Sequence, residues 1–123
     1  MNKPLLMEKK EISLELLKEV YEYIISKDVD LLKDSIIENV DKGTTIYYKE
    51  NNSIRGLLIY TKSEEDATKH HVYFLGTDNS EIRKAIVKEA YVRGDRPISA
   101  RRHGKVIKYK NPELLMRRLI YGW

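Results

Sequence analysis

Three sets of side chains in this sequence have types and spacings that could do chemistry. The first is Glu64, Glu65 and Asp66, with His70 and His71 close behind. Glu64, Glu65 or His71 could serve as a general base, accepting the proton of an attacking amine brought within hydrogen-bond reach. The same stretch reads equally as a solvated acidic loop with two histidines at a strand edge, the ordinary fate of exposed charge. Neighbouring strand residues point to opposite faces, so His70 and His71 are poorly placed to share one metal ion, and no metal site is expected. The second set is nine tyrosines against a single phenylalanine. One hydroxyl could act as an acid, and several rings could stack on bases. Their spread along the chain favours amphipathic aromatics at the edge of a small core, hydroxyl outward. The third set is basic: Arg93, Arg96, Arg101, Arg102, Lys105, Lys108, Lys110, Arg117 and Arg118. These could contact nucleic-acid phosphates, with a salt-sensitive affinity. They could equally meet an acidic surface on a neighbouring subunit or balance acidic helices within the monomer, because charge alone does not select a partner.

The elements that must position these groups follow from hydrophobic period. Leu17, Tyr21 and Ile24 lie at i, i+4 and i+7 and predict a helix over about Glu11 to Ser26. Leu32, Ile36 and Val40 predict a second, from Asp30 to Val40, with Gly43 just past its end as a left-handed terminator. Thr44–Lys49 and Ile54–Tyr60 then read as an antiparallel hairpin about an Asn51-Asn52 turn, the second strand apolar enough to be covered on both faces. His70–Leu75 is a third strand, with Val72 and Phe74 expected on one face and Tyr73 and Leu75 on the other. Asp78 with Glu81 fits a capping box, Ser80 competes as cap, and Ile82, Ala85, Ile86, Val87 and Ala90 make a helical face ending near Gly94. Pro97–Ala100 is another strand, which Val106–Tyr109 extends or pairs with. Asn111-Pro112 opens a last helix that buries Leu114, Leu115 and Leu119.

Composition bounds the possibilities. The 123 residues suit one domain, 1–123. Cysteine is absent, which removes disulfides, thiolate metal sites and a Cys nucleophile. A hydrophobic fraction of 41% supports a real core. No run approaches the roughly 18 apolar residues of a membrane span, and Met1–Glu8 lacks the apolar stretch of a secretory signal. The expected location is therefore cytoplasmic, or a virion for a phage-encoded chain, with no membrane partner. The net charge of +4 is unevenly spread. Residues 1–50 carry 8 basic and 11 acidic groups, net −3; residues 51–92 carry 6 and 6, net 0; residues 93–123 carry 9 and 2, net +7.

Two short motifs add to the element order. Lys88-Glu89-Ala90-Tyr91-Val92-Arg93-Gly94 closes a helix with Ala followed by Arg-Gly, and Asn111 is followed eleven and twelve residues later by Gly122 and Trp123. With the order α-α-β-β-β-α-β-α, these resemble the GNAT superfamily of acyl-CoA N-acyltransferases over about Glu11 to Trp123. The resemblance implies an α/β fold with a mixed, mainly antiparallel sheet flanked by helices. It implies acetyl-CoA or another acyl-CoA along Leu75, Gly76, Thr77, Asn79 and Ser80, with the acceptor amine near the meander strands.

The departures from that pattern bear on chemistry. The family's phosphate loop follows Arg/Gln-x-x-Gly-x-Gly/Ala, whereas Gly76-Thr77-Asp78-Asn79-Ser80-Glu81 has one glycine and two carboxylates. Arg118 stands where many active members carry a tyrosine that acts as general acid. The sequence ends at Gly122-Trp123, where active members continue into two more strands. These features point to a reduced GNAT-like scaffold, truncated at its C-terminus and used as a binding or assembly module with a protein partner or further copies. Three alternatives stay open: a small virion component or host-directed inhibitor acting by protein contact, a nucleic-acid-binding protein using the basic C-terminal quarter, and an active acyl-CoA-dependent N-acyltransferase.

Overall fold

The described residues form a six-stranded sheet whose strands neighbour one another in chain order, with helices on both faces. The computed structural model describes residues 4–7, 12–62, 69–95, 97–102, 105–109 and 112–121, with backbone alone at residues 98, 101, 102, 105, 106, 112 and 121. The elements run β1 (Leu5–Leu6), α1 (Leu14–Ser26), α2 (Lys33–Lys42), β2 (Thr44–Glu50), β3 (Ser53–Lys62), β4 (His70–Thr77), α3 (Ser80–Val92), β5 (Pro97–Arg102), β6 (Lys105–Lys108) and α4 (Pro112–Tyr121). The expected mixed, mainly antiparallel sheet with flanking helices is present. Leu5–Leu6 adds an edge strand to β2, and β6 pairs antiparallel with β5. Among the described residues only β4 and β5 run parallel, joined by the α3 crossover.

Local chemistry explains most boundaries. Ser13 caps α1, its hydroxyl accepting from the Leu16 N–H at 3.1 Å, so that helix begins three residues later than its apolar period suggests. Asn51 and Asn52 take φ of 53° and 67°, the left-handed pair that a two-residue hairpin turn demands. Helix α3 closes with Gly94 at φ 87°; the Gly94 N–H bonds the Tyr91 carbonyl and the Asp95 N–H bonds that of Ala90.

Gly43 is a correction. Its φ of −100° is not left-handed. A Cβ there would lie 2.4 Å from the Tyr60 carbonyl oxygen and 2.8 Å from that of Asn39. The glycine lets α2 pass directly into β2 against the backbone of β3. Gly56 is similar: α3 sits over it, and a Cβ would meet Ile82 Cγ2 at 2.5 Å and Ile86 Cδ1 at 2.6 Å. Replacing either glycine by alanine should cost about 1–3 kcal/mol by overpacking. The loss should be larger for Gly43→Ala, whose obstacle is backbone; urea unfolding midpoints at constant m-value check both.

The core lies in two layers. Ile46, Tyr48, Leu58, Tyr60 and Val72 face Ile82, Ile86 and Val87 of α3 and Leu115 and Leu119 of α4. Tyr47, Leu57, Ile59 and Phe74 face Val20, Tyr23 and Ile24 of α1 and Ile36 and Val40 of α2. Residues 57–60 of β3 are buried throughout, as expected of a strand covered on both sides.

Two expectations about facing are overturned. Val72 and Phe74 lie on opposite faces, because the register shifts between Ile59/Phe74 and Tyr60/Val72 and leaves Tyr73 as an extra residue in β4. A one-residue bulge inverts the alternation beyond it. Leu114 is 40% exposed, since Leu115 and Leu119, flanked by Met116 and Ile120, fill the α4 contact. No helix is long and apolar enough to cross a membrane among the described residues.

Candidate functional site

Strand β4 delivers its end directly into α3, so Leu75, Gly76, Thr77, Asn79 and Ser80 form one strand-end, turn and helix start. Asn79 caps the helix: its φ and ψ are extended, and its Oδ1 accepts from the Ile82 N–H at 2.9 Å. This corrects the expected cap, which placed Asp78 with Glu81 or Ser80 in that role. The helix begins at Ser80, one residue too late for Asp78 to cap it. The Thr77 hydroxyl donates to the Asn79 carbonyl at 3.1 Å.

Asp78 is engaged elsewhere. Its N–H donates to the Arg55 carbonyl at 2.8 Å. Its Oδ1 accepts from Lys27 Nζ at 2.9 Å and lies 2.9 Å from the Tyr23 hydroxyl; its Oδ2 accepts from Arg55 Nη1 at 3.3 Å. Two elements and one flanking residue supply these groups: α1 gives Tyr23, Lys27 follows its last turn, and β3 gives Arg55. Arg55 reaches the turn because it is itself a bulge residue, the register shifting between Tyr48/Gly56 and Lys49/Ile54. Lys27 Nζ also lies 5.1 Å from the centre of the Tyr23 ring.

The electrostatics of this cluster are coupled. Burial alone would push the Asp78 carboxyl up, but hydrogen bonds from Lys27, Tyr23 and Arg55 outweigh it and hold the carboxyl below the usual range. Burial, reinforced by the hydrogen bond to the Asp78 anion, pushes the Tyr23 phenol up, so it remains a proton donor. Gly76 has a packing role. A Cβ there would be 2.7 Å from Phe74 Cζ, and its φ is not positive. The glycine leaves room for the Phe74 ring.

A second polar cluster sits at the opposite end of β4. Tyr60 donates to Asp95 Oδ2 at 2.5 Å, and His70 Nε2 lies 3.8 Å from Asp95 Oδ1. The Tyr60 and His70 rings meet edge-on at 5.7 Å. His70 Nδ1 is buried and has no hydrogen-bond partner among the described residues. A hydrogen bond joins His71 Nδ1 to the Ser99 hydroxyl across the parallel pair. The two strands pair from His70 with Pro97 to Val72 with Ala100, and no further among the described residues. His71 is therefore tied into the paired end of the sheet, away from the β4–α3 turn. Glu64 and Glu65 lie outside the described residues.

Burial pushes the His70 imidazole down from its ordinary value, more strongly than the Asp95 charge pulls it up. The folded state therefore binds fewer protons than the unfolded chain below about pH 6.5, and stability should fall as pH drops through that region. His70→Gln should flatten that limb. A separate loss below about pH 4 should remain, because Asp78 must then take up a proton. Thermal melts between about pH 2 and pH 8 check both limbs.

The basic set is distributed over several elements. Arg93 pairs with Glu89 at 3.6 Å. Lys108, Arg117 and Arg118 are exposed. Arg101, Arg102 and Lys105 lie on β5 and β6 as backbone, and Arg96 lies outside the described residues. Among the described residues no group of three or more His, Asp or Glu side chains could hold a metal ion. The residues that sequence reasoning passed over are Lys27 and Arg55. A lone arginine inside the apolar run Ile54–Tyr60 was the available signal for Arg55.

Comparison with solved structures places this architecture. The chain is similar to a GNAT-family acetyltransferase structure from Desulfovibrio desulfuricans, with TM-score 0.54 and 10% identity over 79% of this chain and 71% of that one. It is also similar to Tetrahymena GCN5, with TM-score 0.55 and 13% identity over 80% of this chain and 68% of that one. No protein-family model matches the sequence, and no curated protein matches it.

Proposed function

From its GNAT acetyltransferase fold, we propose that the chain works as a binding module and not as an acyl-CoA-dependent transferase. One observation carries this reading. The Asp78 carboxylate, bound by Tyr23, Lys27 and Arg55, supplies the negative charge at the start of α3. In GNAT enzymes, that helix start receives the pyrophosphate of acyl-CoA. A helix N-terminus attracts anions through its orphan N–H groups and dipole. Here an internal anion already answers the nearest cations, and the Asp78 N–H is spent on Arg55. A pyrophosphate would have to approach that carboxylate within a few ångströms, and like charges that close repel. The residues present do not fit that group.

Two further features support the same reading. Arg118, at the position of the family's tyrosine acid, is exposed on α4 and carries no transferable proton at neutral pH. His71, the described candidate for a base, is bonded to Ser99 at the paired end of the sheet. Isothermal titration with acetyl-CoA, alongside an acyl-transfer assay on small amines, tests the proposal. No saturable binding and no transfer are expected. Micromolar binding with transfer to an amine would overturn it.

A further inference from the structure

Helix α2 presents one acidic stripe to solvent. Asp34, Ile37, Glu38 and Asp41 follow one another at i, i+3, i+4 and i+7, and all four are exposed. Beside that stripe, a trough runs between α1 and α2. Two adjoining cavities of about 400 and 280 Å³ make it up, sharing Leu17 and Ile37. Leu14, 87% exposed, stands at one end, and Asp34 and Asp41 line the other. Glu38 is paired with Lys42 at 2.6 Å. Asp34 and Asp41 have no cation partner among the described residues.

Helix α4 carries the complement. Leu114, Arg117 and Arg118 are exposed at i, i+3 and i+4 on its outer side, and neither arginine has a carboxylate partner among the described residues. The wider part of the trough is also lined by Lys33, which lies 5.8 Å from the centre of the Tyr21 ring, and by the Lys18–Glu22 pair, so the charge match is at the other end. There, an apolar residue with two cations one turn on faces the apolar side chains and two anions of the narrower cavity. The two surfaces cannot meet within one molecule. Helix α2 packs on one face of the sheet with α1, and α4 packs on the other with α3.

We propose that the α1–α2 trough binds the outer face of α4 from a second copy of this chain. Leu114 enters beside Ile37, and Arg117 and Arg118 pair with Asp34 and Asp41. Each copy then offers one trough and one helix face, so the contact is head-to-tail and grows beyond a dimer unless its rotation closes a ring. The docking does not depend on whether the β4–α3 turn takes a nucleotide.

Sedimentation velocity on the full chain tests it. The average mass should rise with concentration at about 50 mM salt, and association should weaken at least about tenfold at about 500 mM, where exposed charges are screened. Arg117→Glu with Arg118→Glu blocks the helix face, and Ile37→Glu blocks the trough. Each variant alone should be monomeric. Mixed in equal amounts they should form heterodimers and stop there, because one intact junction remains; that heterodimer also shows that both variants fold. A wild-type monomer at all concentrations, salt-independent association, continued association of the arginine variant, or a mixture without heterodimer would each overturn the proposal.

Discussion

Asp78→Ala should turn the β4–α3 turn into an anion site. Lys27 Nζ and Arg55 Nη1, 2.9 and 3.3 Å from that carboxylate, would lose their counter-charge while keeping their places near the α3 start. Charge-assisted hydrogen bonds to an anion are worth about 1.5–3 kcal/mol each, so even one recovered bond is a tenfold gain or more. Inorganic pyrophosphate titrated calorimetrically into the variant at low salt should bind at least about tenfold tighter than into the wild type. The variant should also lose the acid-limb stability that Asp78 contributes, since the group holding a lowered carboxyl is gone. Equal, weak pyrophosphate binding by both proteins would mean that the internal carboxylate is not what closes the turn.

Phe74→Ala should be the most damaging single truncation near this site, costing about 3–5 kcal/mol. For a domain of this size that lowers the melting temperature by roughly 10 °C or more. The reason is the Tyr73 bulge, which sends the only phenylalanine into the α1–α2 layer against Tyr23 and Ile24. Gly76 supplies an internal control. Gly76→Ala puts a Cβ 2.7 Å from Phe74 Cζ, so it should destabilise the wild type by about 1–3 kcal/mol and be nearly neutral beside Phe74→Ala. Additive losses in the double variant would show that ring and glycine do not touch.

How far the sequence carried depends on the range of the interaction concerned. Features set by one or two residues were legible. Asn51-Asn52 announced a tight turn because asparagine tolerates positive φ, and both residues adopt it. The buried run Leu57–Tyr60 announced a central strand. Bulges were invisible, because an extra residue in one strand is decided by the partner strand and the helix above it. That is why the facing of Phe74 was misplaced and why Arg55 was not connected to the turn at Asp78.

The role of Asp78 was hidden for a related reason. In sequence it is an acid three residues before another acid, a pattern that spells a capping box. In space it meets Tyr23 and Lys27, which lie more than fifty residues earlier, and they draw it from the helix end and leave the cap to Asn79. Gly43 was read through its most frequent helical use, whereas the Tyr60 carbonyl behind it accounts for it. The acids of α2 and the arginines of α4 could be counted in sequence, but their want of ion-pair partners among the described residues could not. Only the fold puts them on opposite faces of the sheet.

The claim at the centre of this account is that the turn from Gly76 to Glu81 answers its own charge and has no place for an acyl-CoA pyrophosphate. The most direct measurement follows the backbone amide resonances of those residues in the ¹⁵N-labelled wild-type chain as acetyl-CoA is added to about 1 mM, the concentration at which binding worth only about 4 kcal/mol is half complete. The resonances of Asn79, Ser80 and Glu81 should stay where they are. Saturable shifts confined to that turn would contradict the account and return the chain to the enzymes whose fold it has.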